Sequence, residues 1–354
     1  MYQGWTAMSY EETMENTTAL RPPQTVLLPS SPTGNTTTCE IQDGFLAVAL
    51  PVMYSLIFSV SLVTNSLALW VFQWSPQRKS STSVYMWNLA WSDLLFTLCL
   101  PLRVAYQNQP GPFVLCRLVG AFFYLNMYAS ILFLSLISLD RYLKIIRPLR
   151  QSRMHSLRWS KMASALVWLS NLTCMMPFFL EARKAEPCSE KCFHFHSKGL
   201  IGATINIIVV VAFFILSALF VCSYGKISER LCRVLPARAQ HQGRSTDTRA
   251  LTKTLVVLVI FILCFVPYHL VRVPYVLAQL DVIASLSWKQ SLHVTNETVL
   301  CISALNSCLD PIIYFFLSSS FRKAVLCTME GKFKALFLMD SWTQTSRNRS
   351  VTDL

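Results

Sequence analysis

The sequence predicts an all-α membrane protein, a bundle of seven transmembrane helices followed by a short amphipathic eighth helix. Three observations lead to this prediction. Only 14% of the 354 residues are charged, whereas a soluble domain carries about 25%. The mean hydropathy is +0.43. The apolar residues also fall into seven long blocks, so buried helices of a large soluble protein are the weaker interpretation.

Each apolar block is long enough to cross a bilayer. A helix rises about 1.5 Å per residue, so about 20 residues span a hydrocarbon core about 30 Å thick. The backbone must be helical there because lipid offers no hydrogen-bond partners. The predicted crossings are 46–72, 82–106, 116–139, 162–181, 200–225, 251–279 and 294–317.

The distribution of charge predicts the orientation in the membrane. Residues 1–45 contain five acidic residues and one arginine, whereas the short loops and the tail assigned to the other side are rich in lysine and arginine. Basic short loops stay in the cytoplasm. We therefore expect a multi-pass protein of the plasma membrane with its N-terminus outside and its C-terminus inside. The net charge of +13 is then directed at membrane lipid and intracellular partners, not at nucleic acid.

The chain divides into three predicted regions. Residues 1–45 form an extracellular, disordered N-terminus without a cleavable signal, in which Asn16 and Asn35 are glycosylation acceptors. Residues 46–317 form the seven-helix domain. Residues 318–354 form the cytoplasmic amphipathic helix and tail.

The cysteines support this layout. Most of the twelve fall inside predicted helices, where they serve as small apolar residues. Cys116 opens the third helix and Cys192 lies in the loop before the fifth, so a disulfide between them would pin that loop over the bundle. Cys39 and Cys188 remain as outer cysteines, and we predict that they pair with each other.

Polar residues inside the predicted helices mark a functional site. A charge buried in a bilayer is costly, so it is a functional hypothesis by default. Asp93, Ser130, Asn306 and Asp310 offer oxygen ligands that suit a hard cation, here a sodium ion acting as an allosteric ligand. A water-filled hydrogen-bond network without a fixed ion is the alternative.

Six motifs carry a resemblance to a known family. In chain order they are Asn65, the run 88–94 that contains Asp93, Asp140-Arg141-Tyr142, Trp168, Cys264-Phe265-Val266-Pro267 and Asp310-Pro311-Ile312-Ile313-Tyr314. With these motifs the chain resembles the rhodopsin-like G-protein-coupled receptors over nearly all of residues 45–330. The resemblance implies a receptor that is not an enzyme and that activates a heterotrimeric G protein. Transporter and channel remain remote alternatives.

The resemblance also implies roles at the cytoplasmic ends of the helices. Arg141 is always charged and is expected to pair with Asp140 at rest, beside Tyr142. On activation the arginine of this family turns toward the G protein. Tyr224 and Tyr314 are then expected to meet near it.

Two prolines mark the helices expected to move. Pro267 removes a backbone hydrogen bond and kinks the sixth helix, and Phe265 stands where the family usually has tryptophan. Asp310 and Pro311 stand where the family usually has asparagine and proline, which gives the seventh helix a similar weak point.

Several segments resemble the purinergic-receptor-like branch, which contains receptors for nucleotides and for lysophospholipids. Both ligand classes carry phosphate, which arginine grips with two hydrogen bonds. The resemblance implies a ligand site near the outer ends of the helices, made of Arg103, Tyr124, Tyr128, Tyr268, His269, Arg272, Tyr275, Asn296 and Glu297. The alternatives are that Arg272 reaches toward the surface and that the tyrosines pack the bundle.

Asn296 and Glu297 separate the two ligand classes. The ADP-type receptors have a lysine where this chain has Asn296, and that loss removes a phosphate contact. The Glu297 carboxylate can instead meet an ammonium group. The pair resembles the lysophosphatidylserine receptors of this branch, which makes a lysophospholipid the expected ligand and a nucleotide the alternative. Residues 281–292 lack the cysteine that those receptors have there, which indicates a divergent paralogue.

The tail offers further expected partners. Cys327, in the amphipathic segment, is a candidate for palmitoylation. Residues 341–352 offer phosphorylation sites for receptor kinases, whose added charge would recruit arrestin. The terminal Thr352-Asp353-Leu354 fits a PDZ-domain ligand. The branch suggests an inhibitory G protein.

Overall fold

The computed structural model describes residue 41 and residues 44–74, 80–146, 156–180, 190–238 and 245–329. In these ranges the chain forms helices and no named strand. They are α1 (Gly44–Trp74), α2 (Ser81–Ala105), α3 (Phe113–Ile146), α4 (Leu157–Leu180), α5 (Leu200–Arg238), α6 (Ser245–Gln279), α7 (Leu286–Ala304), α8 (Asn306–Leu317) and α9 (Ser319–Met329). The predicted sites at Asn16, Asn35, Cys39 and Cys188 and the tail beyond residue 329 lie outside the described residues.

The helices make seven crossings because α7 and α8 form one span. Leu305 separates the two helices. The amides of Leu305 and Cys308 each donate to the carbonyl three residues earlier, whereas an α-helical amide donates to the carbonyl four residues earlier. Five spans, α1, α3, α5, α6 and the joined α7–α8, are long and apolar enough to cross a membrane by composition. The other two, α2 and α4, have 25 and 24 residues. Each is long enough at about 1.5 Å per residue, and the expected all-α bundle is confirmed.

Several helices extend well beyond their predicted limits: α3 continues past residue 139 to Ile146, and α7 begins at Leu286 instead of residue 294. The apolar block 200–225 continues as α5 to Arg238, and α6 begins at Ser245. Hydropathy marks only the stretch that lipid surrounds, whereas a helix continues as long as its own hydrogen bonds continue.

The packing is that of a bundle in lipid. Helix α3 lies centrally and contacts α2, α4, α5, α6 and α7. Large apolar side chains point outward, as Ile208, Val211 and Ile215 do on α5, while Phe213 and Phe220 of the same helix are buried. An outer surface this apolar suits a hydrocarbon solvent and not water.

Polar side chains tie the helices together where the backbone lacks partners. Pro311 has no N–H to donate, so the carbonyl of Ser307, four residues earlier, loses its helical partner. The Asn65 amide donates to this carbonyl at 2.8 Å. A second polar contact joins two side chains: Trp168 Nε1 donates to Asn88 Oδ1 at 2.9 Å and links α4 to α2. The family-type Asn65 and Trp168 therefore serve helix packing in this chain.

The amphipathic α9 begins directly after Ser318. Phe321 and Ala324 are buried against the bundle, and the Phe321 ring stacks on Phe72 of α1 with centroids 5.7 Å apart. Cys327 lies on α9 and is half-buried.

Candidate ligand cavity and signalling network

A cavity of about 260 Å³ opens among the outer ends of α2, α3, α6 and α7, beneath the segment 190–198. Of the residues predicted to bind ligand, six line it: Arg103, Tyr124, Arg272, Tyr275, Asn296 and Glu297. The remaining three, Tyr128, Tyr268 and His269, are not among its lining residues.

Those three residues pack the bundle below the cavity. The His269 ring stacks on Phe213 with centroids 3.5 Å apart, and its Nδ1 lies 2.8 Å from the Phe265 carbonyl oxygen. The Tyr128 ring meets His269 edge-on, and Tyr268 is fully buried. Their positions in the sequence suggested that they bind ligand, but their side chains point to faces of the helices that lie below the cavity.

A disulfide holds the roof of the cavity. Cys116 at the start of α3 is joined to Cys192, with Cα atoms 5.4 Å apart. The Cys192 amide also donates to the Gln109 carbonyl at 2.9 Å, and the Gly111 amide to Glu190 at 3.2 Å. A Cβ on Gly111 would meet Cys192 Sγ at 2.7 Å, so this close approach requires glycine.

The roof is also fixed at its other end. The Lys198 amide donates to the Gln279 carbonyl at 3.0 Å, and Gln279 Nε2 donates to the His196 carbonyl at 3.0 Å. These bonds join the segment to the outer end of α6. Any movement of α6 is therefore transmitted to the roof of the cavity.

Arg103 and Glu297 form a buried ion pair across the cavity floor. Arg103 Nη2 lies 2.5 Å from Glu297 Oε2, and the two side chains are 4% and 9% exposed. The Phe193 ring lies over the guanidinium, with its centroid 3.7 Å from Arg103 Cζ. The backbone of Phe193 has φ of 59°, a strained conformation for a residue with a bulky side chain. This aromatic cover was not predicted from the sequence, because Phe193 reaches Arg103 only through the folded segment 190–198.

Arg272 is the second buried cation of the cavity. Its Nε and Nη2 donate to Asn206 Oδ1 at 3.0 and 2.8 Å, and its Nη1 donates to Asn296 at 3.3 Å. The rings of three tyrosines surround it with centroids 5.5–5.7 Å away, namely Tyr124, Tyr268 and Tyr275. Among the described contacts Arg272 therefore has neutral amide and aromatic partners and no carboxylate. Asn206 was not predicted, since an asparagine inside an apolar helix block carries no signal of its partner.

A polar cluster lies below the cavity in the middle of the bundle. Asn126 donates to Asp93 Oδ1 at 2.9 Å, and Asn306 donates to Ser130 Oγ at 2.7 Å. The carboxyl groups of Asp93 and Asp310 interact with each other. Several buried atoms have no hydrogen-bond partner among the described residues, namely Asp93 Oδ2, both Asp310 carboxylate oxygens, Asn306 Oδ1 and the Tyr314 hydroxyl. The structure thus brings together the four residues predicted to surround a cation.

The cytoplasmic end differs from the expected arrangement. Asp140 accepts hydrogen bonds from Ser81, Thr82 and Lys144, each at 2.6 Å. Arg141 Nη2 instead donates to the Leu317 carbonyl at 3.1 Å. The described ion pair of Asp140 is with Lys144, and Asp140 and Arg141 also interact electrostatically.

Of the two tyrosines expected near Arg141, Tyr224 lies close enough to interact electrostatically with the guanidinium, whereas Tyr314 packs against other residues. The Tyr314 ring contacts Phe72 and Phe321 with centroids 5.5 and 5.9 Å away. Tyr224 lies against Phe220, with centroids 4.7 Å apart. Their predicted meeting belongs to the active state and stays a prediction. Tyr142, the third residue of the motif, is partly buried against the core.

The hinge region of α6 is closely packed. Phe265 is fully buried and meets Phe261 edge-on, with centroids 5.4 Å apart. Pro267 lies inside α6, two residues further along the helix. The aromatic stack therefore lies directly below the point where the helix is weakest.

The seven crossings, the outer cavity and the polar cluster beneath it define a membrane receptor with its signalling network. The sequence matches the family described as 7 transmembrane receptor (rhodopsin family) over residues 64–314. The chain belongs to this family of G-protein-coupled receptors, which are receptors and not enzymes, and it is a multi-pass protein of the plasma membrane.

Individual relatives cover most of the chain. It is 38% identical over 316 residues to "Probable G-protein coupled receptor 34" of Pan troglodytes, covering 87% of this chain and 81% of that protein. It is 34% identical over 307 residues to "G-protein coupled receptor 87" of Mus musculus, covering 83% and 84%. It is 32% identical over 299 residues to "Platelet-activating factor receptor" of Bos taurus, covering 80% and 86%. These relatives are consistent with the predicted branch.

Proposed function

We propose that this receptor senses an extracellular lysophospholipid with a zwitterionic, phosphate-bearing head group such as that of lysophosphatidylserine. The observation that carries the proposal is Arg272. It is 4% exposed, it lines the cavity, and its described hydrogen-bond partners are neutral amides. A buried cation is costly unless an anion compensates it, and a phosphate with two hydrogen-bond acceptors matches the guanidinium.

The ion pair beside it favours a zwitterion over a nucleotide. Glu297 already pairs with Arg103 at 2.5 Å. A ligand ammonium group would therefore have to displace Arg103 from this carboxylate, which the sequence did not predict. A ligand with both charges can replace this pair, its ammonium on Glu297 and its anion on Arg103, and leave no charge uncompensated. A nucleoside diphosphate has no ammonium group and would bring further negative charge toward the Glu297 carboxylate.

The acyl chain also has a route out of the cavity. Among the α3 residues that line the cavity, Phe113, Arg117 and Gly120 lie on one face of the helix. Helices α4 and α5 both pack on α3 but hardly contact each other. A chain leaving along this face would pass between α4 and α5 into the bilayer. The relative named for platelet-activating factor, itself a phospholipid, supports this ligand class.

The first test is G-protein activation in cells that express the chain, dosed separately with lysophosphatidylserine and with ADP. We expect a response to the lipid through an inhibitory G protein. Arg272→Gln should lower its potency about 10- to 100-fold, the cost of a lost charge-assisted hydrogen bond. Lys289→Gln is the matched control, because Lys289 pairs with the exposed Asp281 outside the cavity, and it should respond like the wild type.

Other outcomes separate the alternatives. A response to ADP alone would make the cavity a nucleotide site. A response to neither ligand, with the chain shown at the cell surface, would refute both ligand classes and leave the receptor family unchanged.

The orientation and the intracellular partners are part of the same proposal. The cavity and the disulfide lie at the end of the bundle where α1 begins, and acidic residues precede α1 in the sequence, whereas segments rich in lysine and arginine follow α1, α3 and α5 in the sequence. We therefore place the N-terminus outside and the G-protein, receptor-kinase and arrestin sites inside. The PDZ-type terminus and a lipid on Cys327 would lie on the same inner side.

We also propose that the mid-membrane cluster holds a sodium ion. The unpartnered oxygens of Asp93, Asn306 and Asp310 fit the oxygen ligands of a hard cation. A bound sodium ion would offset the charge of one of the two neighbouring carboxylates and stabilise the resting bundle.

The sodium proposal is tested by melting the purified, ligand-free receptor. Sodium chloride should raise the apparent Tm by about 2–4 °C relative to choline chloride of equal ionic strength. Asp93→Asn and Asp310→Asn should each abolish that difference, since each removes a ligand charge. A wild-type receptor that melts alike in both salts would show that the cluster holds water and no sodium.

A further inference from the structure

The acidic residue of the Asp140-Arg141-Tyr142 motif accepts hydrogen bonds from three groups other than the arginine. Its Oδ1 accepts from Ser81 at 2.6 Å, and its Oδ2 accepts from Thr82 and Lys144 at 2.6 Å. The carboxylate is 4% exposed and the Lys144 side chain 29%. This is a charged contact largely shielded from water.

Lys144 closes a ring that joins α3 to α2. Besides Asp140, its Nζ donates to Ser81 at 3.2 Å and to Thr82 at 3.1 Å. The spacing from Asp140 to Lys144 is four residues, with the acid on the N-terminal side, which is the favourable order on a helix. The geometry thus gives Lys144 an advantage over Arg141, whose neighbouring position points its side chain to another face of α3.

Arg141 consequently reaches in a different direction. Its Nη2 donates to the carbonyl of Leu317, the last residue of α8, at 3.1 Å. The C-terminal end of a helix carries partial negative charge, so it attracts a guanidinium, but more weakly than a carboxylate does. Arg141 is therefore held by a neutral acceptor that it can leave at lower cost than an ion pair.

We infer that Lys144 is a positioning residue that sets ligand-independent signalling by withdrawing Asp140 from Arg141. With Lys144 present, the carboxylate is satisfied and Arg141 is available to turn toward the G protein. Without that charge, Asp140 loses the counter-ion of its described ion pair and takes Arg141 in its place. The inference concerns the coupling end of the receptor and does not depend on the identity of the ligand.

A purely structural role makes a different prediction. If Lys144 only ties α3 to α2, its loss would lower signalling through lower folding yield, whether or not Asp140 carries a charge. The two roles therefore separate in a double-mutant cycle with Asp140.

The experiment measures nucleotide exchange on a panel of purified G proteins by the full-length receptor in lipid nanodiscs without ligand. Lys144→Met keeps the length of the side chain and removes its charge, and we expect exchange to fall about three- to tenfold. Asp140→Asn should not lower exchange, because this variant has no carboxylate that could take Arg141. The double variant should match Asp140→Asn, since the effect of Lys144 passes through Asp140.

Two further variants guard the interpretation. Lys144→Arg restores the positive charge and should bring exchange back to the wild-type level. Lys161→Met removes an exposed lysine from the same side of the bundle and should leave exchange unchanged. The inference is overturned if Lys144→Met leaves exchange at the wild-type level, or lowers it by the same factor in the Asp140→Asn background.

Discussion

Replacing Glu297 by glutamine should destabilise the receptor by about 3–5 kcal/mol, because it leaves the buried Arg103 guanidinium without its counter-ion. Both side chains are less than one-tenth exposed, so water cannot take over the lost contact. The apparent Tm of the purified receptor and its surface expression should fall together. Arg103→Gln should have an effect of similar size, since it leaves the carboxylate uncompensated.

If Arg103 and Glu297 form a buried ion pair, the double variant should also show a particular stability. Arg103→Gln combined with Glu297→Gln removes both charges, so it should be clearly more stable than the sum of the single effects indicates. Asp281→Asn is the matched control, because its pair with Lys289 is 69% exposed on the aspartate side and contributes at most about 1 kcal/mol. Equal melting of Glu297→Gln and Asp281→Asn would contradict a buried, mutually dependent pair.

Removing the disulfide should have the second large effect. The Cys116–Cys192 bond links residues 76 positions apart, and the loss of such a bond costs about 2–5 kcal/mol. The double Cys116→Ser and Cys192→Ser variant avoids a single reactive thiol. We expect a strong fall in surface expression and the loss of the ligand response in the receptors that reach the surface, because the roof over the cavity is no longer held to α3.

A matched cysteine variant separates this effect from thiol loss in general. Cys222 of α5 is a free cysteine on the exposed surface of the bundle, so Cys222→Ser should leave expression and response near the wild type. A disulfide variant that kept full ligand potency would show that the backbone bonds of the segment 190–198 are enough to hold the roof.

The cavity and the cytoplasmic end are linked by the same helices in this structure. The roof is bonded to the outer end of α6 through Gln279, and Pro267 lies between that end and the inner half. The joined span of α7 and α8 carries Glu297 at the cavity and Leu317 at the Arg141 contact. A ligand that opens the Arg103–Glu297 pair therefore acts directly on the span whose inner end holds Arg141.

The sequence by itself determined the class of fold. Lipid excludes unsatisfied backbone groups, so an apolar block of about 20 residues has one stable structure, and local composition is enough to find it. The motifs determined where the polar cluster, the hinge proline and the signalling arginine lie, because these depend on residue type at fixed positions along single helices. The choice of Arg272 and of Glu297 as cavity residues followed from the resemblance of the sequence to the purinergic-receptor-like branch.

The tertiary structure alone decided the partners of those residues. Arg103 and Glu297 are 194 positions apart, and their pairing depends on the packing and rotation of α2 against α7. The capture of Asp140 by Lys144 depends on hydroxyl groups that α2 brings to α3. The deeper placement of His269 follows from its facing on α6. Residue type and hydrophobic periodicity can be read directly from the sequence. The distance from a charged side chain to its counter-ion is instead set by the packing of one helix on another, which no local sequence pattern encodes.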